Sequence, residues 1–170
     1  MSRTDDAAQL FTEGASCSQA VFVAFAPSLG VDAGQALRLA SGFGGGMHIG
    51  GTCGAATGAV LAIGLAYAGD DSASERRAVM GAVETFFERF GEQVGATECP
   101  AILECDVRTA EGRALVRERG LRETRCLSAV RAAAQILEEM LAADEFIGTV
   151  VVREEAHRAL RPEGQRSAQA

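Results

Sequence analysis

The chain has 170 residues, a length that suits one domain with a hydrophobic core of its own. Apolar residues make up 48% of it and charged residues 23%, the balance of a soluble globular protein. The net charge of -7 argues against nucleic acid as a partner, because no excess of cations is present to neutralise phosphates. All 16 basic residues are arginine, which excludes lysine Schiff-base chemistry and the lysine-dependent phosphate loop.

The apolar pattern is helical along most of the chain, and no convincing alternating strand is present. A short helix is predicted over residues 5–14, where an aspartate pair starts it and a glycine ends it. Ser16 and Gln19 then form a capping box, which opens a second helix that stops near Pro27. Cys17 lies in the first turn of this helix, on its apolar face.

A third predicted helix, residues 32–42, leads into a segment that is unusually rich in glycine, residues 42–51. Glycine loses too much backbone entropy to propagate a helix, so this segment predicts a tight loop. Thr52 is expected to cap the next helix, with Cys53 as its first residue. That helix, about residues 53–68, is long and apolar enough to suggest a membrane span, but it lacks basic flanks and an aromatic belt. A central helix buried inside the domain, with no membrane, is therefore the prediction.

The predicted central helix carries a ridge of small residues at four-residue spacing, formed by Gly54, Gly58, Ala62 and Ala66. Such a ridge lets another helix approach to backbone contact, either within the monomer or across a homo-oligomer. Four further elements follow in the sequence. A capping box at Ser72 opens an amphipathic helix, a short helix follows Pro100, a charged helix starts at Thr109, and the last strong helix starts at Thr124.

These elements predict an all-α fold: a single-domain helical bundle over residues 1–143, built around the buried central helix and the glycine-rich loop before it. Residues 144–170 are predicted as an appended helix or a flexible tail, because their pattern turns polar and loses its period. The polar, acidic first residues do not resemble a secretion signal, so a reducing cytoplasm is expected. Scattered cysteines in that compartment indicate metal binding or catalysis more than structural disulfides.

Four of the five cysteines lie at or beside predicted helix starts: Cys17, Cys53, Cys99 and Cys126. A helix N-terminus presents unpaired N–H groups and a partial positive charge, which stabilise a thiolate over a thiol. The chain contains no Cys-x-x-Cys pair, so the zinc-ribbon and thioredoxin motifs are excluded. A site would have to be assembled in space from separate helix starts.

These cysteines and their surroundings resemble a known family. Cys17 stands in Glu-Gly-Ala-Ser-Cys-Ser-Gln-Ala-Val, a Gly-Phe-Gly-Gly-Gly stretch follows, and Cys-Gly-Ala-Ala-Thr-Gly begins at Cys53. With Cys99 and Cys126, this pattern resembles the C-GCAxxG-C-C family over roughly residues 8–141. The resemblance implies a redox-active protein with four shared cysteines. It places Cys99 at the third shared position, with Cys105 as the alternative.

Two kinds of sulfur chemistry fit these residues. We predict a zinc or iron–sulfur centre for electron transfer to a redox partner protein, because four inward-facing thiolates without a metal would lose much solvation. The metal ligands would be Cys17, Cys53, Cys99 and Cys126, with Cys105 as the alternative. The N–H groups of the glycine loop and central helix would contact the cofactor through Gly44, Gly45, Gly46 and Gly54.

The alternative is a thiol–disulfide oxidoreductase or a peroxide-reducing enzyme that uses the same four cysteines. His48, on the glycine loop, would then serve as a proton donor, or as an auxiliary ligand in the metal case. A second alternative is a non-catalytic helical interaction module in which the cysteines behave as small hydrophobic residues. The sequence leaves open whether the protein is an enzyme; if it is one, it is an oxidoreductase.

Overall fold

A computed structural model describes residues 2–69 and 72–143 of the chain, and the predicted tail, residues 144–170, lies outside them. The described residues form eight α-helices and no strand, which confirms the all-α prediction. One isolated antiparallel bridge joins Thr52 to Glu98. The helices are α1 (Arg3–Thr12), α2 (Cys17–Phe25), α3 (Ala33–Ala40), α4 (Gly54–Tyr67), α5 (Ala73–Val94), α6 (Cys99–Leu103), α7 (Ala110–Glu118) and α8 (Leu127–Ala143).

Two helix starts follow directly from short sequence signals. The Ser16 hydroxyl accepts the N–H of Gln19, and the Gln19 side chain accepts the N–H of Ser16, which completes the capping box of α2. Ser72 and Glu75 make the same reciprocal pair at α5. Each box satisfies two N–H groups that the helix cannot pair itself, so both predicted starts are confirmed.

The bundle packs α1 against α8 and α2 against α4, while α4 also contacts α5 and α8. Its core contains large side chains with almost no solvent exposure, namely Phe22, Ile63, Phe86, Phe90 and Leu137. The rings of Phe86 and Phe90 stack with their centroids 5.7 Å apart. Most other core positions are alanine, so the helices approach closely and hold their ends in fixed relative positions. No helix in the described part of the chain has the length and apolar character that a membrane crossing would need.

The backbones of α2 and α4 touch at Gly58. A Cβ atom added to Gly58 would lie 2.5 Å from the carbonyl oxygen of Ser18 and 3.0 Å from its Cα. Only glycine permits this approach. At this position, the small-residue ridge of α4 packs within the monomer, and it brings the start of α2 beside the start of α4.

The glycine-rich segment forms two turns instead of a helix. A 3₁₀ turn over Ser41–Phe43 is followed by a wider turn over Gly46–Gly50, which the N–H of Gly51 closes on the carbonyl of Gly46 at 2.9 Å. Met47 and His48 have φ angles of 57° and 60°, in the left-handed region that side chains rarely adopt. The turn therefore leaves both side chains exposed and returns the chain to the start of α4.

Two predicted caps are wrong. Cys53, not Thr52, occupies the N-cap of α4, because Thr52 pairs with Glu98 and donates its hydroxyl to that carboxylate at 3.2 Å. At the last helix, a π-helical turn over Arg122–Cys126 precedes α8, and the hydroxyl of Thr124 donates to the carbonyl of Gly120 instead of accepting a free N–H. Cys126 thus ends a turn whose own hydrogen bonds continue into α8, and it does not lie at a free helix N-terminus.

Candidate functional site

The four predicted cysteines come together in one cluster. The charge of Cys126 acts on the pKa of Cys17, of Cys53 and of Cys99, and Cys53 acts on that of both Cys17 and Cys99. Direct packing supports this convergence, because a Cβ atom added to Gly54 would lie 3.2 Å from the Cβ of Cys17. Four segments that are distant in the sequence therefore bring their cysteines close enough to act on one another's charge.

Backbone hydrogen bonds hold Cys53 and Cys99 beside each other. The N–H of Cys53 donates to the carbonyl of Thr97 at 2.8 Å, and the N–H of Cys99 donates to the carbonyl of Gly51 at 2.9 Å. Thr52 and Glu98, the residues of the antiparallel bridge, lie between these two bonds. Because side chains alternate along an extended chain, Cys53 and Cys99 point to the face opposite the side chains of that pair. They are 5% and 7% exposed respectively, so they form a buried inner pair.

Burial sets the protonation of this inner pair. It raises the pKa of Cys53 to about 11, although the N–H groups of Ala55 and Ala56 at the start of α4 favour the thiolate. Burial likewise raises the pKa of Cys99 to about 12, and the neighbouring cysteines add to the effect. For these two thiolates, the cost of burial thus exceeds the stabilisation that a helix N-terminus provides. The expectation that Cys53 and Cys99 have lowered pKa values is therefore wrong. Both side chains are thiols at neutral pH.

Cys17 and Cys126 form a second pair with a different character. The interaction between these two side chains raises the pKa of Cys17 well above its usual range and lowers the pKa of Cys126. Of the two, Cys126 is therefore the first to lose its proton. The positive charge of Arg122 lowers the pKa of Cys126 further, while Glu123 opposes it.

Arg122 belongs to the site, because its charge acts on Cys126, although no motif in the sequence points to it. Its guanidinium carbon lies 3.9 Å from the centroid of the Phe11 ring, and the group donates to the carbonyls of Phe11 at 2.8 Å and Ala15 at 3.1 Å. The available signal was its position four residues before Cys126, since residues at that spacing are neighbours on a helical turn. The spacing is informative only if residues 122–126 form a helical turn. The predicted helix started at Thr124 and so left Arg122 outside it.

The other predicted site residues lie around the cluster. Cys105 is half-buried, adds to the raised pKa of Cys99 and donates its thiol to the carbonyl of Gly112 at 3.8 Å. His48 is exposed on the glycine-rich turn. A Cβ atom added to Gly44 would lie 2.9 Å from the Cβ of Ser16, and one added to Gly46 would lie 2.4 Å from the carbonyl oxygen of Gly51.

Packing accounts for three of the four glycines predicted to contact a cofactor. Gly44 and Gly54 allow the loop and α4 to lie against the start of α2, and Gly46 closes the loop on itself. Gly45 has a φ of 59°, a conformation that favours glycine, and a Cβ there would meet nothing within 4 Å. A cofactor contact by these glycines and a role for His48 stay predictions.

The sulfur cluster has the right donor atoms for zinc or an iron–sulfur cluster, which cysteine thiolates bind. Within residues 2–69 and 72–143, however, no group of three or more His, Cys, Asp or Glu side chains is arranged to hold a metal ion. The arrangement of these residues does not fit the predicted centre. Metal binding stays a prediction, and the chemistry below is derived from the thiols themselves.

A comparison with protein families identifies the chain's relatives. The model of the family described as "Putative redox-active protein (C_GCAxxG_C_C)" matches residues 15–140. The chain belongs to this family. The C_GCAxxG_C_C match includes all four cysteines and Arg122, so the whole site lies within the region that the family model covers. No curated protein and no solved structure matches the chain.

Proposed function

We propose that this redox-active protein works by cycling Cys17 and Cys126 between a dithiol and a disulfide. The observation that carries the proposal is the interaction between the two side chains, which is the largest influence on the pKa of each and makes Cys126 the stronger acid. A thiolate is the nucleophile in disulfide exchange, and a neighbouring thiol completes the reaction. Membership of the redox-active family supports the same chemistry.

The proposed substrate is a disulfide, on a partner protein or a small thiol compound. The Cys126 thiolate attacks one sulfur of that disulfide, a mixed disulfide forms, and the other substrate sulfur leaves as a thiolate. Cys17 then loses its proton and attacks the sulfur of Cys126, which releases the second substrate thiolate. The chain loses two electrons and two protons, and the substrate disulfide gains them as two thiols.

Cys53 and Cys99 are proposed to stay protonated during this exchange. Their raised pKa values make them poor competitors for the attacking role at neutral pH. Both are buried, whereas Cys17 and Cys126 are only partly buried. The different roles proposed for the two pairs therefore follow from burial and from the interaction between Cys17 and Cys126.

A metal or iron–sulfur centre for electron transfer is the second candidate function. It is supported by the convergence of Cys17, Cys53, Cys99 and Cys126, with Cys105 close to Cys99. We rank it second because the described side chains are not arranged as a metal site. Zinc, iron and sulfide analysis of anaerobically purified protein tests it directly: stoichiometric metal would favour this candidate over the dithiol cycle.

The dithiol proposal is tested by counting free thiols in the metal-free chain before and after treatment with a disulfide oxidant. We expect a reversible loss of about two thiols per chain, because one disulfide forms. Cys17→Ser and Cys126→Ser should each abolish this loss, whereas the matched control Cys105→Ser should leave it unchanged. If oxidation removes no thiols, the proposal is wrong, and a non-catalytic role for the cysteines is favoured.

A further inference from the structure

None of the side chains in residues 73–81, the first part of α5, is fully buried in the described chain. The buried residues of this helix, Ala82, Phe86 and Phe90, all follow them. Helices in proteins are stabilised mainly by the packing of one face, so this part of α5 gains little of that stabilisation within the monomer. Met80 lies near its end and is 61% exposed. This stretch is therefore a candidate surface for contact with another molecule.

The outward face of α5 carries four exposed residues at three- and four-residue spacing, namely Arg77, Met80, Gly81 and Glu84. Residues at that spacing are neighbours on one side of a helix. With about 3.6 residues per turn, Arg77 and Glu84 lie on the side opposite the buried Phe86. Within residues 2–69 and 72–143, no ion pair or hydrogen bond engages the side chain of Arg77 or of Glu84. Both charges are thus available to a partner.

This outward face is complementary to itself when one helix is turned end for end. Two α5 helices can lie antiparallel with their centre of symmetry between Met80 and Gly81. Arg77 of each copy then faces Glu84 of the other, because both residues lie equally far from that centre. Met80 of each copy likewise faces Gly81 of the other. A Cβ atom added to Gly81 would meet nothing within 4 Å, so the space over this glycine is open to an unbranched, adaptable methionine side chain.

We propose that two copies of this chain form a homodimer through the outward faces of their α5 helices, in this antiparallel arrangement. A twofold axis lets one surface pair with itself, so each of these contacts occurs twice. Charge complementarity supports a second copy as the partner. The chain has a net charge of -7, so two copies repel each other except where opposite charges are matched. The same register places Glu88 opposite Ala73, so like charges do not meet along this face.

Sedimentation velocity of the full-length chain, measured over a range of concentrations in reducing buffer, tests this proposal. We expect a reversible equilibrium between monomer and dimer. Arg77→Glu brings acidic groups face to face at both symmetric contacts and should weaken the dimer about ten-fold or more. Glu84→Arg should have the same effect by bringing basic groups together. The double variant that combines Arg77→Glu with Glu84→Arg exchanges the two charges and should restore dimerisation to nearly that of the parent chain.

Gly81→Gln tests the fit of the two surfaces separately from their charge. Glutamine is a better helix former than glycine and has open space at this position, so the monomer should keep its fold. Its side chain would occupy the space that Met80 of the other copy needs. We expect this variant to be monomeric, with the helix content of the parent chain by circular dichroism. Arg38→Glu is the matched control, since it makes the same change of charge at an exposed arginine of α3 and should leave dimerisation unchanged.

A parent chain that stays monomeric at every concentration would overturn the proposal. A dimer that Arg77→Glu and Gly81→Gln both leave unchanged would overturn it too, because the interface would then lie elsewhere. The same holds for a double variant that dimerises no better than the two single variants. The reducing buffer excludes disulfides between copies, so the result is independent of the proposed dithiol cycle, whose failure appears instead as a missing Cys17–Cys126 disulfide.

Discussion

Cys17 and Cys126 influence each other's pKa more than any other group influences either, and this interaction moves the two pKa values in opposite directions. Two chemically identical side chains thereby become different: one holds its proton and the other gives it up. Cys17 lies in the first turn of α2, which a capping box fixes, and Cys126 ends the π-helical turn before α8. The asymmetry of the pair thus depends on how two separate helices are positioned.

Removing the Cys17 side chain should weaken the acidity of Cys126. In Cys17→Ala the pKa of Cys126 should rise, because the interaction with Cys17 that lowers it most is lost. Alkylation of Cys126 by iodoacetamide at neutral pH should then slow several-fold, as measured by mass spectrometry of its peptide. Cys17→Ser keeps a polar hydroxyl at this position and should retain most of the rate. Equal rates in the parent and in Cys17→Ala would contradict the role given to this interaction.

The capping box of α2 should matter for the thiol pair as well as for stability. Ser16→Ala removes the side chain that accepts the Gln19 N–H and should cost about 1 kcal/mol of unfolding free energy. It should also change the pH profile of Cys126 alkylation, since Cys17 follows Ser16 directly. Ser72→Ala breaks the equivalent box of α5, with a similar loss in urea unfolding but an unchanged profile. If both variants behave alike in the alkylation assay, the cap does not position Cys17.

Two glycines of α4 should respond oppositely to alanine. Gly58→Ala places a Cβ 2.5 Å from a backbone oxygen of α2 and should destabilise the fold by about 1–3 kcal/mol. Gly64→Ala meets nothing within 4 Å, so the better helix propensity of alanine should stabilise the fold by about 0.5–1 kcal/mol. Urea unfolding measures both changes. A tolerated Gly58→Ala would show that α2 and α4 do not touch at this point.

The buried thiols should make stability depend on alkaline pH. Burial raises the pKa of Cys53 from 9.0 to about 11, so between these values the folded chain keeps a proton that the unfolded chain has released. The contribution is fully present below about pH 9 and is lost as pH rises towards about pH 11, at about 1.4 kcal/mol per pH unit. Urea unfolding under reducing conditions should show this slope. Cys53→Ala should have a shallower slope, and an unchanged slope would contradict the burial of this thiol.

The features predicted most accurately from the sequence are those that interactions between neighbouring residues determine. The starts of α2 and α5 follow from capping boxes whose partners lie three residues apart, and the structure confirms both. The start of the last helix was predicted wrongly because Thr124 resembles a cap. Its hydroxyl instead bonds the carbonyl of Gly120 within a π-helical turn that precedes α8. That turn is held partly by contacts of Arg122 to Phe11 in α1 and to Ala15 just after it, more than 100 residues away in the sequence, and no local pattern could reveal them.

The same limit applies to the site. Four cysteines near helix starts could be listed from the sequence, and their convergence was a hypothesis. Their acidities could not be ordered, because burial decides them at Cys53 and Cys99, while the interaction between Cys17 and Cys126 distinguishes these two from each other. Both effects depend on tertiary packing. Helix starts alone predicted four low-pKa thiols, and the structure gives a lowered pKa only to Cys126.

The most direct test of the dithiol cycle is the identity of the disulfide that oxidation forms. The chain contains no lysine, so an arginine-specific protease places Cys17 in residues 4–38, Cys53 in 39–76, Cys99 and Cys105 in 90–108, and Cys126 in 126–131. Mass spectrometry of oxidised, unreduced protein should find residues 4–38 linked to residues 126–131. A linkage of residues 39–76 to residues 90–108 as the main product, or no linkage at all, would contradict the account.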